Sequence, residues 1–554
     1  MTVDLRAAAT DSALLTMVAE ANGVCIRPIL HQVLDTHTGE TRTVAIPCGA
    51  TKASKCAPCA DKARRLRMQQ CREGWHRIDE PEHHDDDTEQ PDERDVGAEG
   101  EAHGDGPSRR VRSTRRRSDA PDLPRVEMSE RTIGRVMTSP SGKTYRPSMF
   151  LTFTLPSYGP VHRDGTPVSP ATYDYRRAAL DAMHFSRLVD RLWQNLRRCA
   201  GYRVQYFSVV EEQHRLAPHL HAAVRGVIPR GLVVKVVAAT YHQVWWPDFD
   251  EAVYADDQLP AWDPVREAFC CPHSGQPLSA WERAMDELDA NPASRPAHVV
   301  RFGKQSDYKW LIAGSPRTDK TLGYITKYLT KSIANTYDPD HVSTRQADHV
   351  ERLMAHVKVL PCGPECGNWL RYGIQPKGSD EHTIPGGCRR AAHDPENLGY
   401  GGRRVLVSRD WTSKTLTDHK ADRAAIVREV LAQAGIEVDD TDHCSACVVD
   451  RDGRQRFEWH PIDPADLTSG MRRAAILVSI QERQRRRSQY ERAQRAGPPR
   501  PPASQPNPRS PRWPSRASEA SHVVTRSALD GQRGDRTINQ REAAGHLRTG
   551  RNHE

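Results

Sequence analysis

Glu211-Glu212-Gln213-His214-Arg215-Leu216-Ala217-Pro218-His219-Leu220-His221 ends in two histidines separated by one apolar residue. On a strand, alternate side chains share a face. His219 and His221 therefore present two imidazoles side by side, while Leu220 points into a core. Val204 to Val210 reads as a preceding strand, and the polar, proline-containing segment from Glu212 to Pro218 as the turn of a hairpin. Such a hairpin sets Glu211 beside the two histidines. A carboxylate with two imidazoles leaves coordination positions open, which suits a catalytic ion better than a structural one. Gln213 and His214 are alternative third ligands. A His-x-His pair alone is common on surface strands, so a second stretch decides its meaning.

That stretch is Gly323-Tyr324-Ile325-Thr326-Lys327-Tyr328-Leu329-Thr330-Lys331-Ser332. Read as a helix, it places Tyr324, Lys327, Tyr328 and Lys331 on one stripe and Ile325 and Leu329 on another. A phenol is a competent nucleophile toward a polarised phosphodiester. Lysines one turn away hold phosphate oxygens and stabilise developing charge. The plainer alternative is a half-buried amphipathic helix with snorkelling lysines.

Together the two stretches resemble the HUH endonuclease superfamily of rolling-circle replication initiators, conjugative relaxases and certain transposases. His219-Leu220-His221 matches its metal motif, and the Tyr324/Tyr328 segment matches the two-tyrosine motif of the initiator branch. Phe150-Leu151-Thr152-Phe153-Thr154-Leu155-Pro156 is similar to that branch's first motif. More narrowly, residues 161–402 resemble the replication initiators of actinomycete plasmids. That likeness is carried by Leu192-Trp193-Gln194-Asn195-Leu196-Arg197-Arg198, Ala239-Thr240-Tyr241-His242-Gln243-Val244-Trp245-Trp246, Asn368-Trp369-Leu370-Arg371-Tyr372-Gly373 and Leu398-Gly399-Tyr400-Gly401-Gly402.

The resemblance implies an α+β fold built on an antiparallel sheet. It implies Mg2+ or Mn2+ held by Glu211, His219 and His221, and attack by Tyr324 or Tyr328 on single-stranded or extruded origin DNA. The products are a 5′-phosphotyrosine and a free 3′-OH primer, with Lys327 and Lys331 beside the nucleophiles and the second tyrosine serving termination. Cleavage needs no ATP, and no complete Gly-x-x-x-x-Gly-Lys-Ser/Thr phosphate loop is present, so unwinding and synthesis fall to a host helicase and polymerase. A relaxase or transposase with the same chemistry, and a non-catalytic zinc-containing DNA-binding regulator, are the alternatives.

The rest of the chain is consistent with a DNA-handling protein. It has 554 residues, a net charge of +8 and only 37% hydrophobic residues; mean hydropathy is −0.73, so much of the length lies outside any core. The arginines cluster, which favours a polyanionic partner. The chain opens without a basic segment and apolar run, and no apolar stretch approaches membrane-spanning length, so a cytoplasmic location and no membrane partner are expected. In that compartment the 13 cysteines read as thiols or metal ligands.

Cys25, Cys48, Cys56 and Cys59 form a zinc-type set, with Cys71 spare and a basic helix from Lys62 following. Cys362, Cys366, Cys388 and His393 form a second set. It is surrounded by Arg371, Lys377, Arg389, Arg390, Arg403 and Arg404, an expected origin-binding surface. Cys444 and Cys447 are a weaker pair. The expected organisation is an N-terminal zinc-knuckle region at 1–78, a charged disordered linker at 79–128 and the endonuclease domain at 129–345. A basic Cys/His region follows at 346–435, then a basic helical region at 436–496 and a disordered tail at 497–554. Helices are expected over 171–198, 232–246, 418–434 and 471–495, and strands over 149–154, 298–302 and 405–407.

Overall fold

The computed structural model describes residues 12–75, 77, 80, 122–134, 136–142, 144–312, 315–327, 329, 337, 342–436, 448–449, 453–463 and 465–496. Most of the expected linker, all of the expected tail, and Tyr328, Lys331, Cys444 and Cys447 lie outside these residues. The principal helices are α1 (Ser12–Ala21), α2 (Ala57–Trp75), α3 (Tyr175–Ala200), α4 (Arg230–Ala239), α5 (Trp281–Ala290), α6 (Pro316–Lys327), α7 (Thr344–Val359), α8 (Leu416–Gln433) and α9 (Ser469–Ala496). The principal strands are β1 (Ile29–Asp35), β2 (Thr41–Ile46), β3 (Pro147–Phe153), β4 (Tyr206–Glu212) and β5 (Pro218–Arg225). After them come β6 (Tyr241–Val244), β7 (His298–Arg301), β8 (Ser306–Ile312), β9 (Val405–Val407) and β10 (Phe457–Pro461). The fold is mixed helix and antiparallel sheet, as expected of an α+β chain.

A five-stranded sheet in the order β8-β3-β5-β4-β9 is its centre, and every pairing in it is antiparallel. Strand alternation sorts its side chains. Met149, Leu151, Phe153, Val210, Leu220, Ala222 and Val224 face one way and pack on Leu180, Phe185, Leu188, Leu192 and Leu196 of α3. These α3 residues recur at helical spacing, so one stripe of a 26-residue helix is buried along the sheet. Asp174 caps its N-terminus, accepting from the Arg177 N–H at 3.0 Å. Gly201 ends it at a φ of 72°, where a Cβ would be strained. Leu353 and Val357 of α7 join the same core.

The opposite face carries Phe150, Phe207, Val209 and Ala223, covered by Cys71 and Trp75 of α2, Leu322 and Ile325 of α6, and Trp411. A buried arginine at the end of β5 fixes the C-terminus of α2. Arg225 Nε donates to the Gly74 carbonyl at 3.0 Å, and its other nitrogens reach the carbonyls of Asp410 and Trp411. Gly74 is required there, because a Cβ would fall inside the Trp411 indole.

Segments far apart in sequence share elements. β1 pairs with β2 on one side and with β10 on the other, and Leu15 and Val18 of α1 pack on Ile476 and Ile480 of α9. The expected helix over 232–246 is corrected. It stops at Ala239, and Tyr241–Val244 form β6, paired antiparallel with β7. Thr240 already has extended backbone at φ −88° and ψ 124°, and the strand's partner is more than fifty residues away, so the apolar run misled. Trp246 is half-buried against the core, in ring contact with His184, Phe249 and Trp369. Among the described residues no helix is long and apolar enough to cross a membrane.

Candidate active site

The hairpin of β4 and β5 brings Glu211 directly opposite His219. The turn closes with the Gln213 N–H on the Ala217 carbonyl at 3.0 Å and Leu216 at a φ of 54°. Three donor atoms converge. His219 Nε2 and His221 Nε2 are 2.9 Å apart, and Glu211 Oε2 is 3.2 Å from His221 Nε2 and 3.6 Å from His219 Nε2. Gln213 and His214 point elsewhere. Gln213 Oε1 accepts from Arg215 Nε at 2.7 Å, and the His214 ring packs on Tyr337.

The chemistry of the three donors fits a divalent ion. Adjacent ligands of an octahedral ion at about 2.1 Å lie about 3.0 Å apart, close to the two shorter separations. Glu211 Oε2 is buried with no hydrogen-bond partner, as a metal-facing oxygen would be. Burial, with His221 beside it, pushes His219 down to about 3, so its imidazole is neutral and able to donate a lone pair at neutral pH. His221 is oriented from behind. Thr152 Oγ1 lies 2.9 Å from its Nδ1, and the Phe150 ring stacks on it at 5.6 Å. A partner on the far nitrogen fixes both the ring and the nitrogen that faces the site.

Tyr324 stands over this cluster. Its ring meets the His221 ring edge-on at 5.3 Å and the Phe150 ring at 6.1 Å, while 45% of the residue stays exposed. Ile325 and Leu322, buried against the sheet, hold α6 in that orientation. The two stretches singled out in the sequence, about a hundred residues apart, therefore meet on one face of one sheet. Lys327 lies one turn beyond Tyr324 and is exposed.

The helix begins two turns before the expected Gly323. Its first residue is Pro316, and Ser315 Oγ accepts from the Thr318 N–H at 3.3 Å. The exposed stripe thus also includes Arg317 and Lys320, at the same helical spacing as Tyr324 and Lys327. The Ser-Pro pair before an amphipathic run was the signal that could have located them. Lys309 is a further cation, opposite Phe150 in the register of β8 and β3.

Both cysteine-containing sets assemble. The donor atoms of Cys25, Cys48, Cys56 and Cys59 all lie within 4.8 Å of one another, as do those of Cys362, Cys366, Cys388 and His393. Cys71 lies apart, buried in the core over the sheet. A third group, Glu73, His419 and Asp422, joins α2 to α8 and was not foreseen; Asp422 is ion-paired to Lys414 at 2.8 Å. Of the expected basic surface, Arg389 and Arg403 are exposed, whereas Arg371 is buried and ion-paired to Asp256.

The chain is 28% identical over 326 residues to a replication initiator protein of Streptomyces ambofaciens, a match covering 48% of this chain and 65% of that protein. No solved structure matches it. Residues 12–473 match the family described as the replication initiator protein of pSAM2. With the match running from α1 into α9 and spanning the whole central sheet, the chain belongs to the pSAM2-type replication initiator family.

Proposed function

We propose that this protein initiates plasmid rolling-circle replication by nicking one strand of its origin through tyrosine transesterification. The observation that carries the proposal is the Tyr324 ring packed on His221, over the converged donors of Glu211, His219 and His221. Those three residues would hold Mg2+ or Mn2+, which when bound polarises the scissile phosphodiester.

Tyr324 Oη attacks the phosphorus of single-stranded or extruded DNA. One P–O bond forms to the phenol oxygen, the bond to the 3′ oxygen breaks, and that oxygen takes up a proton and leaves as a 3′-OH primer. The phenol proton is lost to solvent. Lys327, with Arg317 and Lys320 along the same stripe, binds the flanking phosphates. The ester retains the energy of the cut bond, so the step is reversible, and Tyr328 and Lys331, the remaining pair of the two-tyrosine motif, serve strand exchange at termination. Arg389 and Arg403 contribute to an origin-binding surface. Unwinding and synthesis, in the cytoplasm, fall to a host helicase and polymerase.

The test is incubation with Mn2+ and a single-stranded oligonucleotide spanning the origin, followed by a denaturing gel. A protein–DNA adduct lost in the Tyr324→Phe, Tyr328→Phe double variant is the expected result. Binding without an adduct, under several metals, would turn the reading to a non-catalytic DNA-binding regulator. A relaxase or transposase would instead cleave a transfer origin or an element end.

A further inference from the structure

The two cysteine-containing sets take no part in the chemistry above, yet each is built from chain segments brought together at a distance. Cys25 precedes β1, Cys48 follows β2, and Cys56 and Cys59 stand at the start of α2. Cys362 and Cys366 lie just ahead of a short helical turn at Gly367–Tyr372, while Cys388 comes from a later loop and His393 ends the short helical turn Ala391–His393. Cys56 and Cys366 are fully buried, and the sulfurs of both sets belong to free thiols.

The separations identify what these donors surround. Cys25 Sγ and Cys56 Sγ are 3.8 Å apart, as are Cys362 Sγ and Cys388 Sγ. A disulfide would need about 2.05 Å. A zinc ion at about 2.3 Å from tetrahedral sulfurs sets them about 3.8 Å apart, and a sulfur–imidazole edge at about 3.6 Å. Cys366 Sγ and His393 Nε2 stand 3.4 Å apart. The Cys48 N–H also points at Cys25 Sγ, at 3.3 Å, as a second-layer donor to a thiolate does.

The two sets are joined. Lys52, between Cys48 and Cys56, places its ammonium 2.6 Å from Glu396, 3.6 Å from Asp394 and 3.2 Å from Asn397 Oδ1, and Ser54 Oγ donates to Glu396 at 3.3 Å. These acceptors directly follow His393. From the first set, α2 runs to the sheet face beneath Tyr324, where Cys71 and Trp75 pack with Leu322 and Ile325. From the second, Cys366 and Ala392 enter the core on the α3 side.

We propose that the chain binds two structural zinc ions, one in Cys25/Cys48/Cys56/Cys59 and one in Cys362/Cys366/Cys388/His393, and that Lys52 docks the two zinc knuckles into a single clamp embracing both faces of the catalytic sheet. Zinc binding to preorganised thiolates contributes folding energy outright, so the clamp holds α2, and through it α6, in place.

The test is metal analysis of the full-length protein purified from zinc-supplemented medium. Two zinc ions per chain are expected, one in the Cys56→Ser, Cys59→Ser variant, one in the Cys388→Ser, His393→Ala variant, and still two in the His219→Ala, His221→Ala variant. The last variant separates these ions from any in the active site. Should the cysteine variants fail to fold, cobalt substitution of the unaltered protein replaces them. Two tetrahedral thiolate centres support the assignment, whereas an octahedral spectrum, or fewer than two zinc ions in the unaltered protein, overturns it. Lys52→Ala should keep both ions but speed amide exchange across residues 48–59; unchanged exchange would overturn the clamp.

Discussion

Thr152→Val isolates the support of the proposed metal triad from the triad itself. Valine has the shape of threonine, so no cavity opens and packing on Phe150 and His221 is preserved. What is lost is the contact from Oγ1 to His221 Nδ1 at 2.9 Å. Without it the ring is free to carry its proton on Nε2, the nitrogen that faces Glu211 and His219, and to rotate about χ2. Loss of such an outer partner weakens metal binding by about 10–100-fold, or about 1.4–2.7 kcal/mol. The fold loses little, because a net hydrogen bond of about 1 kcal/mol is replaced by a buried methyl of similar worth. The assay is calorimetric titration of Mn2+ at neutral pH, with thermal melting of the metal-free protein as control. Weaker Mn2+ binding at an unchanged melting temperature is expected. Wild-type affinity in the variant would refute the claim that Thr152 orients His221 for a metal.

Three further outcomes follow from the same geometry. Tyr324→Phe alone should abolish the first-cleavage adduct with a single-stranded origin oligonucleotide, whereas Tyr328→Phe should retain it, read on a denaturing gel. Arg225→Met should leave the carbonyls of Gly74 and Trp411 unpaired, at about 1–3 kcal/mol each, seen as a lower denaturant midpoint; an unchanged midpoint would mean that Arg225 does not hold α2. Burial keeps the Glu212 carboxyl well above the usual carboxylate range despite the nearby Arg215 and Arg404. The folded protein therefore holds a proton that the unfolded chain releases above about pH 4.3, and stability falls as pH rises beyond that value. Glu212→Gln removes this loss, so its melting temperature should gain on the wild type progressively from about pH 5 to about pH 8; a pH-independent difference would show that Glu212 is ionised in the fold.

Much of the site was legible because its signals are local. The two-residue period put His219 and His221 on one face, and a hairpin joining adjacent strands placed Glu211 opposite His219. The helical period put Tyr324 and Lys327 on one exposed stripe with Ile325 buried. Where the local signal was ambiguous the reading failed. The apolar run into Trp246 suited helix or strand equally, and its pairing with residues 298–301 settled it. Arg317 and Lys320 lie ahead of the tyrosine motif, and only the Ser-Pro helix start marks them in the sequence.

Residue types and spacing, which are properties of neighbours along the chain, thus determined the Glu211, His219 and His221 cluster, the stripe carrying Tyr324 and both cysteine-containing sets. Tertiary structure alone decided that the tyrosine helix lies over His221, that α2 covers the same sheet face, and that Lys52 joins the two cysteine sets. It also decided that β1 is flanked by β10, more than four hundred residues later. Those placements depend on burying complementary apolar faces and pairing charges between segments whose sequence separation carries no periodic signal, so only the folded chain contains them.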